Sequence, residues 1–281
     1  MRPVEDRLRA ALSADEEGLW SVIRDPRPEV ISNAILNRKF TEEMAVFLAK
    51  KKTVSPEVLG FLAGDVRFKD SYKLKVALCK NPKTPQKITM SLLKFLRIFD
   101  LAEIPKDQHI NISVRQKVEH MIGERVPSMP LGVKTALARR ASTNILVLLM
   151  DSGDKELIGT CLDSPVLTEG HLYRLINRPA TKGVVIRMIA EHPKWSLGYS
   201  VRYALIRKFY TPMNCAMKFI KGMKTADLRD LYSDPKLPTA TRPFIFSELV
   251  ERGEDVEAPD EEVYDLSEDE DAHLTDMDRD S

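Results

Sequence analysis

Ala77-Leu78-Cys79-Lys80-Asn81-Pro82-Lys83-Thr84-Pro85 and Ala204-Leu205-Ile206-Arg207-Lys208-Phe209-Tyr210-Thr211-Pro212 are two copies of one phrase, 127 residues apart. They sit inside a longer self-match. Leu74–Arg125 aligns without gaps to Val201–Arg252, with twelve identities in 52 positions. Asp100/Asp227, Leu101/Leu228, Arg115/Arg242 and the Glu-Arg pair that closes each copy are among them. A self-match of this length marks a chain assembled from copies of one supersecondary unit.

Weaker copies extend the pattern. They are Ala34-Ile35-Leu36-Asn37 with Thr41, Ala136-Leu137-Ala138-Arg139 with Thr143, Asn177-Arg178-Pro179-Ala180-Thr181, and Asp163-Ser164-Pro165 with Thr168. The first spacing, Ala34 to Ala77, is 43 residues, the length of a two-helix repeat. The later spacings, 59 and 68, imply inserted turns.

The phrase reads as an elbow between two helices. Apolar residues before it recur at helical spacing, as in Val201-Arg202-Tyr203-Ala204-Leu205-Ile206. Alanine lets helices approach closely, and Asn-Pro ends the first helix because proline disfavours helical backbone in the residue before it. Thr84, Thr143, Thr168, Thr181 and Thr211 stand where an N-cap is wanted, and Pro85 and Pro212 suit a first helical position. The run Ile88–Leu96 reads as the second, amphipathic helix. No alternating Val/Ile run or Asn-Gly turn signals a strand. With only 12 glycines, glycine-rich nucleotide loops are not expected.

The Asn-Pro-x-Thr-Pro elbow, best matched by Asn81-Pro82-Lys83-Thr84-Pro85, resembles bacterial HEAT-like and leucine-rich-repeat-variant α-solenoids. His192-Pro193-Lys194-Trp195-Ser196 is similar to their linkers, and the resemblance covers roughly 28–252. It implies an all-α fold, an α-solenoid of irregular helical hairpins over 1–252, capped at its N-terminus by about 1–27. Lys208-Phe209-Tyr210 lacks the Asn-Pro step and Asn144 lacks the proline, so an irregular superhelix is expected. The resemblance does not name a function.

Composition fits. Hydrophobic residues make up 43% and aromatics only 7%, a balance suited to helix packing. The longest purely apolar stretch, Ile145–Met150, is far short of the ~20 residues of a bilayer span. The start, Met1–Glu17, has no apolar h-region. Cys79, Cys161 and Cys215 are few and scattered, as in a reducing, cytosolic setting. The net charge of +1 hides a split. Residues 253–281 hold 14 acidic residues and one basic one, leaving 42 basic and 28 acidic residues in 1–252. So acidic a segment, with few large apolar residues, is expected to be disordered.

Chemistry is sparse. The five histidines show no metal-ligand spacing, and H-E-x-x-H, C-x-x-C and G-x-S-x-G are absent. No cofactor, metal or catalytic residue is expected. Cys79 and Cys215 read as small buried hydrophobes, Asp100 and Asp227 as helix caps, and Arg115 and Arg242 as inter-repeat pairs. The basic residues are the functional lead: Lys80, Arg139, Arg140, Arg178, Arg207 and Lys208, at or beside one repeated position. Such a row is able to grip an acidic peptide or phosphates. Equally, cations there complement helix C-termini. The expected function is non-catalytic: a scaffold binding a protein partner on the concave face. The alternative is a nucleic-acid-binding protein, even a DNA-glycosylase-like one, with its basic face shielded by the acidic segment. That segment also reads as a solubilising tail or, through Tyr264 and Leu266, as a docking motif.

Overall fold

The computed structural model describes residues 4–258. Among these there are eighteen α-helices, six short 3-10 turns and no strand. The chain divides into two compact units, Met1–Val166 and Leu167–Ser281.

The first unit holds α1 (Val4–Ser13), α2 (Glu16–Val22), α3 (Pro28–Leu36), α4 (Glu42–Lys50), α5 (Pro56–Gly64), α6 (Tyr72–Lys80), α7 (Gln86–Leu92), α8 (Ile98–Glu103), α9 (Ile112–Arg125), α10 (Leu131–Ala138), α11 (Thr143–Met150) and α12 (Lys155–Leu162). Alternate helices pack together: α1 on α3, α3 on α5, α4 on α6, α9 on α11 and α10 on α12. The second unit holds α13 (Glu169–Asn177), α14 (Gly183–Glu191), α15 (Tyr199–Ile206), α16 (Met213–Lys221), α17 (Thr225–Tyr232) and α18 (Arg242–Glu251). Here α13 packs on α15 and α16 on α18.

Helix α6 shows how sequence makes the element. Ser71 accepts from the Leu74 amide at 3.0 Å and starts the helix. Leu74, Ala77 and Leu78, at helical spacing, are all buried. Truncating a leucine buried like Leu78 costs on the order of 2–5 kcal/mol. Asn81-Pro82 then ends the helix.

The elbows share a construction that the phrase only half reveals. Side-chain oxygens of Asp25, Asn37, Asp65, Asn81, Asp107 and Asp234 each accept from the backbone amide two residues on, at 2.9–3.0 Å. The asparagines also reach back. Asn81 Nδ2 donates to the carbonyls of Ala49 (2.8 Å) and Lys51 (3.1 Å), and Asn37 Nδ2 to those of Ala11 and Ala14 (both 3.0 Å). The aspartates take a cation instead: Arg7 on Asp25 (2.7 Å), Arg67 on Asp65 (2.6 Å), Lys52 on Asp107 (3.1 Å) and Arg207 on Asp234 (2.5 Å). Asn81 is buried, so its amide must be bonded, and the carbonyls that end α4 are the acceptors it meets.

Three expectations are corrected in detail. Thr84, Thr181 and Thr211 do not cap the following helix. Each hydroxyl donates backward, to the carbonyl six residues earlier, at 2.7, 2.6 and 2.6 Å. The last turn of a helix leaves carbonyls unpaired, and these hydroxyls satisfy one of them. Thr41 and Thr168 do cap, accepting from Met44 and His171 amides, whereas Thr143 is the first residue of α11 and its hydroxyl donates to the Val166 carbonyl. Asp100 and Asp227 lie inside α8 and α17, and neither caps. Arg115 and Arg242 bond the loops just before their own helices, through the carbonyls of Ile110 and of Tyr232 and Asp234, because a guanidinium in the first turn reaches back over its own entry loop.

Candidate functional site

The six basic residues all stand at helix C-terminal ends. Lys80 is the last residue of α6; Arg139, Arg178 and Arg207 follow the last residues of α10, α13 and α15, and Arg140 and Lys208 come one later. Arg139 and Arg140 are exposed. Arg178 Nε meets Thr181 Oγ1 at 3.5 Å. Arg207 holds Asp234, so its charge serves an elbow clamp. Asp234 is held below the ordinary carboxylate value mainly by the Lys236 amide hydrogen bond, with Arg207 reinforcing. Lys208 occupies the elbow place that Asn81 fills in the earlier copy: the amide three residues on, Thr84 or Thr211, bonds its carbonyl in each. Burial and the neighbouring charges of Arg207 and Lys236 lower the pKa of Lys208.

Lys80 belongs to a different arrangement. A groove of about 420 Å³ runs between α4 and α6 and is closed by the start of α8. Lys50, Lys73 and Lys80 line it together with one carboxylate, Asp100. Val46, Val76, Ala77 and the Tyr72 ring give it an apolar floor. Lys73 and Lys80 are seven residues apart, two turns along one helical face. Lys50 comes from α4, which packs on α6. Lys50 and Lys73 are exposed, and Lys80 Nζ lies 3.7 Å from Asp100 Oδ1. Three cations against one carboxylate leave an excess of two positive charges over an apolar surface.

Tyr72 anchors the end of this groove. Its hydroxyl donates to Asp100 Oδ2 at 2.5 Å and accepts from the Arg97 amide at 3.0 Å. Arg97 is the N-cap of α8 and its guanidinium lies over the Tyr72 ring, 4.9 Å from the centroid. Asp100 is the third helical residue, so its carboxylate reaches the N-cap amide through the tyrosine hydroxyl. The arrangement recurs. Tyr199 donates to Asp227 and accepts from the Lys224 amide, the N-cap of α17, at 3.0 Å. Burial first, and the aspartate bond second, raise both tyrosine pKa values and keep the hydroxyls protonated as donors.

The sequence singles out Lys80 but gives no cue to Lys50, Lys73 or Tyr72 as its neighbours. The repeat alone marks the tyrosines: Tyr72 and Tyr199 stand at the same offset of 127, two residues before the aligned block begins. Among the described residues no cluster of three or more His, Cys, Asp or Glu side chains is placed to hold a metal ion, and no helix is long and apolar enough to cross a membrane. Cys79 and Cys161 are buried, which pushes each thiol up to about 12, and Cys215 is partly exposed. No protein-family model, curated protein or solved structure matches the chain.

Proposed function

We propose that the protein is a non-catalytic, cytosolic interaction module of the HEAT-like α-solenoid kind, and that the groove between α4 and α6 takes an acidic segment of a protein partner. The packing of alternate helices within each unit supports the repeat architecture. The observation that carries the binding reading is the groove itself: Lys50, Lys73 and Lys80 around Val46, Val76 and Ala77. Carboxylates on the ligand meet the lysines, and an apolar side chain between them meets the floor. A phosphate backbone would satisfy the lysines and leave that floor unused, so the acidic peptide is the better chemical fit.

The test uses a fluorescein-labelled glutamate-rich peptide with a central leucine, and fluorescence anisotropy. The full chain is expected to bind it, and more weakly as salt screens the lysines. Lys50→Glu with Lys73→Glu should weaken binding at least tenfold, and replacing the leucine by glutamate should weaken it about as much. Unchanged affinity in the double variant, with the helical circular-dichroism spectrum intact, would remove the groove from the reading.

A further inference from the structure

The second unit presents another surface, and the path of the chain points to its occupant. Gly253 takes a left-handed backbone conformation (φ +81°) and reverses the chain after α18. Its amide and that of Glu254 bond the carbonyls of Val250 and Leu249. The acidic segment then runs along α17. Glu254 pairs with Arg229, and three residues later the Glu257 carbonyl accepts from Tyr232 Oη at 2.6 Å. Arg229 and Tyr232 are themselves three residues apart, so the segment follows α17 towards its C-terminal end. Of the segment 253–281 expected to be disordered, residues 259–281 lie outside the described residues.

At that end of α17 Arg207 and Lys236 flank Asp234, and Lys208 lies within electrostatic reach of both cations. Asp234 bonds Arg207 and accepts from the Lys236 amide. Lys208 has no ion-pair partner among the described residues, and Lys236 is exposed. Next along the same elbow, Phe209 is 71% exposed and Tyr210 54%, their rings 5.5 Å apart edge to face. Two cations thus stand beside an exposed phenylalanine whose aromatic neighbour, Tyr210, packs its ring on Gly183, so charge and apolar surface lie side by side.

The sequence that follows Ala258 matches it in both respects. Asp260-Glu261-Glu262 supplies carboxylates, and Val263, Tyr264 and Leu266 supply apolar side chains. The five steps from Glu257 to Glu262 reach up to ~17 Å when extended, and Asp234, two residues beyond Tyr232, already bonds Arg207 at the start of the α15–α16 elbow. We infer that the chain's own segment 260–266 docks on this elbow, with its carboxylates on Lys208 and Lys236 and its apolar side chains on Phe209 and Tyr210. Docking there covers Phe209, the most exposed aromatic among the described residues of the second unit. It is independent of the groove between α4 and α6.

Zero-length carbodiimide coupling joins a lysine amine to a carboxylate only at contact, and mass spectrometry maps the product. The full chain is used, as an equal mixture of unlabelled and ¹⁵N-labelled protein. The expected products link Lys208 or Lys236 to carboxylates between Asp260 and Asp265, within one chain. Phe209→Ser leaves every lysine and carboxylate in place, and at so exposed a position the helices should be unaffected. It should lower the yield at least threefold. Products spread evenly over lysines such as Lys50, Lys73 and Lys218 would overturn the inference. So would links between differently labelled chains, or a yield unchanged in Phe209→Ser.

Discussion

Tyr199 donates its hydroxyl hydrogen bond to Asp227 in the second unit, in the same way that Tyr72 donates to Asp100 in the first. In both, the same oxygen accepts the backbone amide that opens the next helix, Lys224 or Arg97. One ring thus joins two helices and completes the N-terminus of the second. Since the bond recurs at an offset of 127, it belongs to the repeat unit rather than to a particular site.

Tyr72→Phe and Tyr199→Phe should each destabilise the fold by about 1–2 kcal/mol, because the amide and the carboxylate lose their shared partner but remain partly reachable by water. Urea denaturation followed by circular dichroism at 222 nm measures this. The two changes lie in different units and should add. Full stability in either single variant would show that the bond contributes nothing.

Asn81→Ala should be costlier, about 2–3 kcal/mol, since the buried side chain donates to the carbonyls of Ala49 in α4 and of its C-cap Lys51 and accepts from the Lys83 amide. Asn81→Asp should be no milder, because it turns a carboxylate towards two carbonyls. Lys83→Ala, on the exposed side of the elbow, should stay within ~0.5 kcal/mol. A shift of the urea midpoint as small for Asn81→Ala as for Lys83→Ala would sink this account of the elbow.

The division between what the sequence shows and what it hides follows from these residues. The elbow phrase, with its proline steps and helical apolar spacing, is local, and it announces an all-helical chain. Roles set by distant partners are not local. Thr84 looks like an N-cap, yet an unpaired carbonyl of the previous helix takes its hydroxyl. Asn81 and Lys208 share a place in the gap-free self-match and in the backbone pattern, but nothing local shows that Asn81 reaches back to the carbonyls of Ala49 and Lys51. Lys50 and Lys73 meet at one groove because α4 packs on α6, and no spacing rule links positions 50 and 73.

Acid should unfold the protein through its elbow aspartates. Hydrogen bonding and cation pairing lower the pKa values of Asp65, Asp107 and Asp234 from the ordinary 3.8. The unfolded chain therefore binds protons that the folded chain refuses, and stability falls as pH falls. The contribution is complete above about pH 4–5 and is lost as pH drops through the lowered native values. The urea midpoint measured across that range should decline, and Asp234→Asn should make the decline shallower. An unaltered slope in that variant would show that Asp234 is not linked to folding.

Cysteine labelling should rank the three thiols. Cys79 and Cys161 are buried and their thiols are held up to about 12, so little thiolate forms. Cys215 is partly exposed on α16, though burial and Glu191 raise its pKa as well. In the native state at mildly alkaline pH, a thiol reagent should modify Cys215 first, and slowly. Cys79 and Cys161 should react only after denaturant opens the helices. Mass spectrometry of the labelled peptides decides this, and prompt modification of Cys79 would contradict its burial.

Glycine substitutions separate backbone strain from space. Gly153 and Gly253 have φ of +85° and +81°, where a side chain costs roughly 1–2 kcal/mol. Gly132 sits inside α10 with nothing within 4 Å of a new methyl group, and alanine there should stabilise by roughly 0.5–1 kcal/mol. Gly253→Ala meets no neighbour either, so any loss comes from the backbone alone. That loss should also free the chain from the turn that lays Glu254 on Arg229 and Glu257 on Tyr232. Amide hydrogen exchange should therefore rise over 253–258 in Gly253→Ala and remain unchanged in Gly132→Ala. Equal protection of 253–258 in the two variants would mean that the course along α17 does not depend on the left-handed turn.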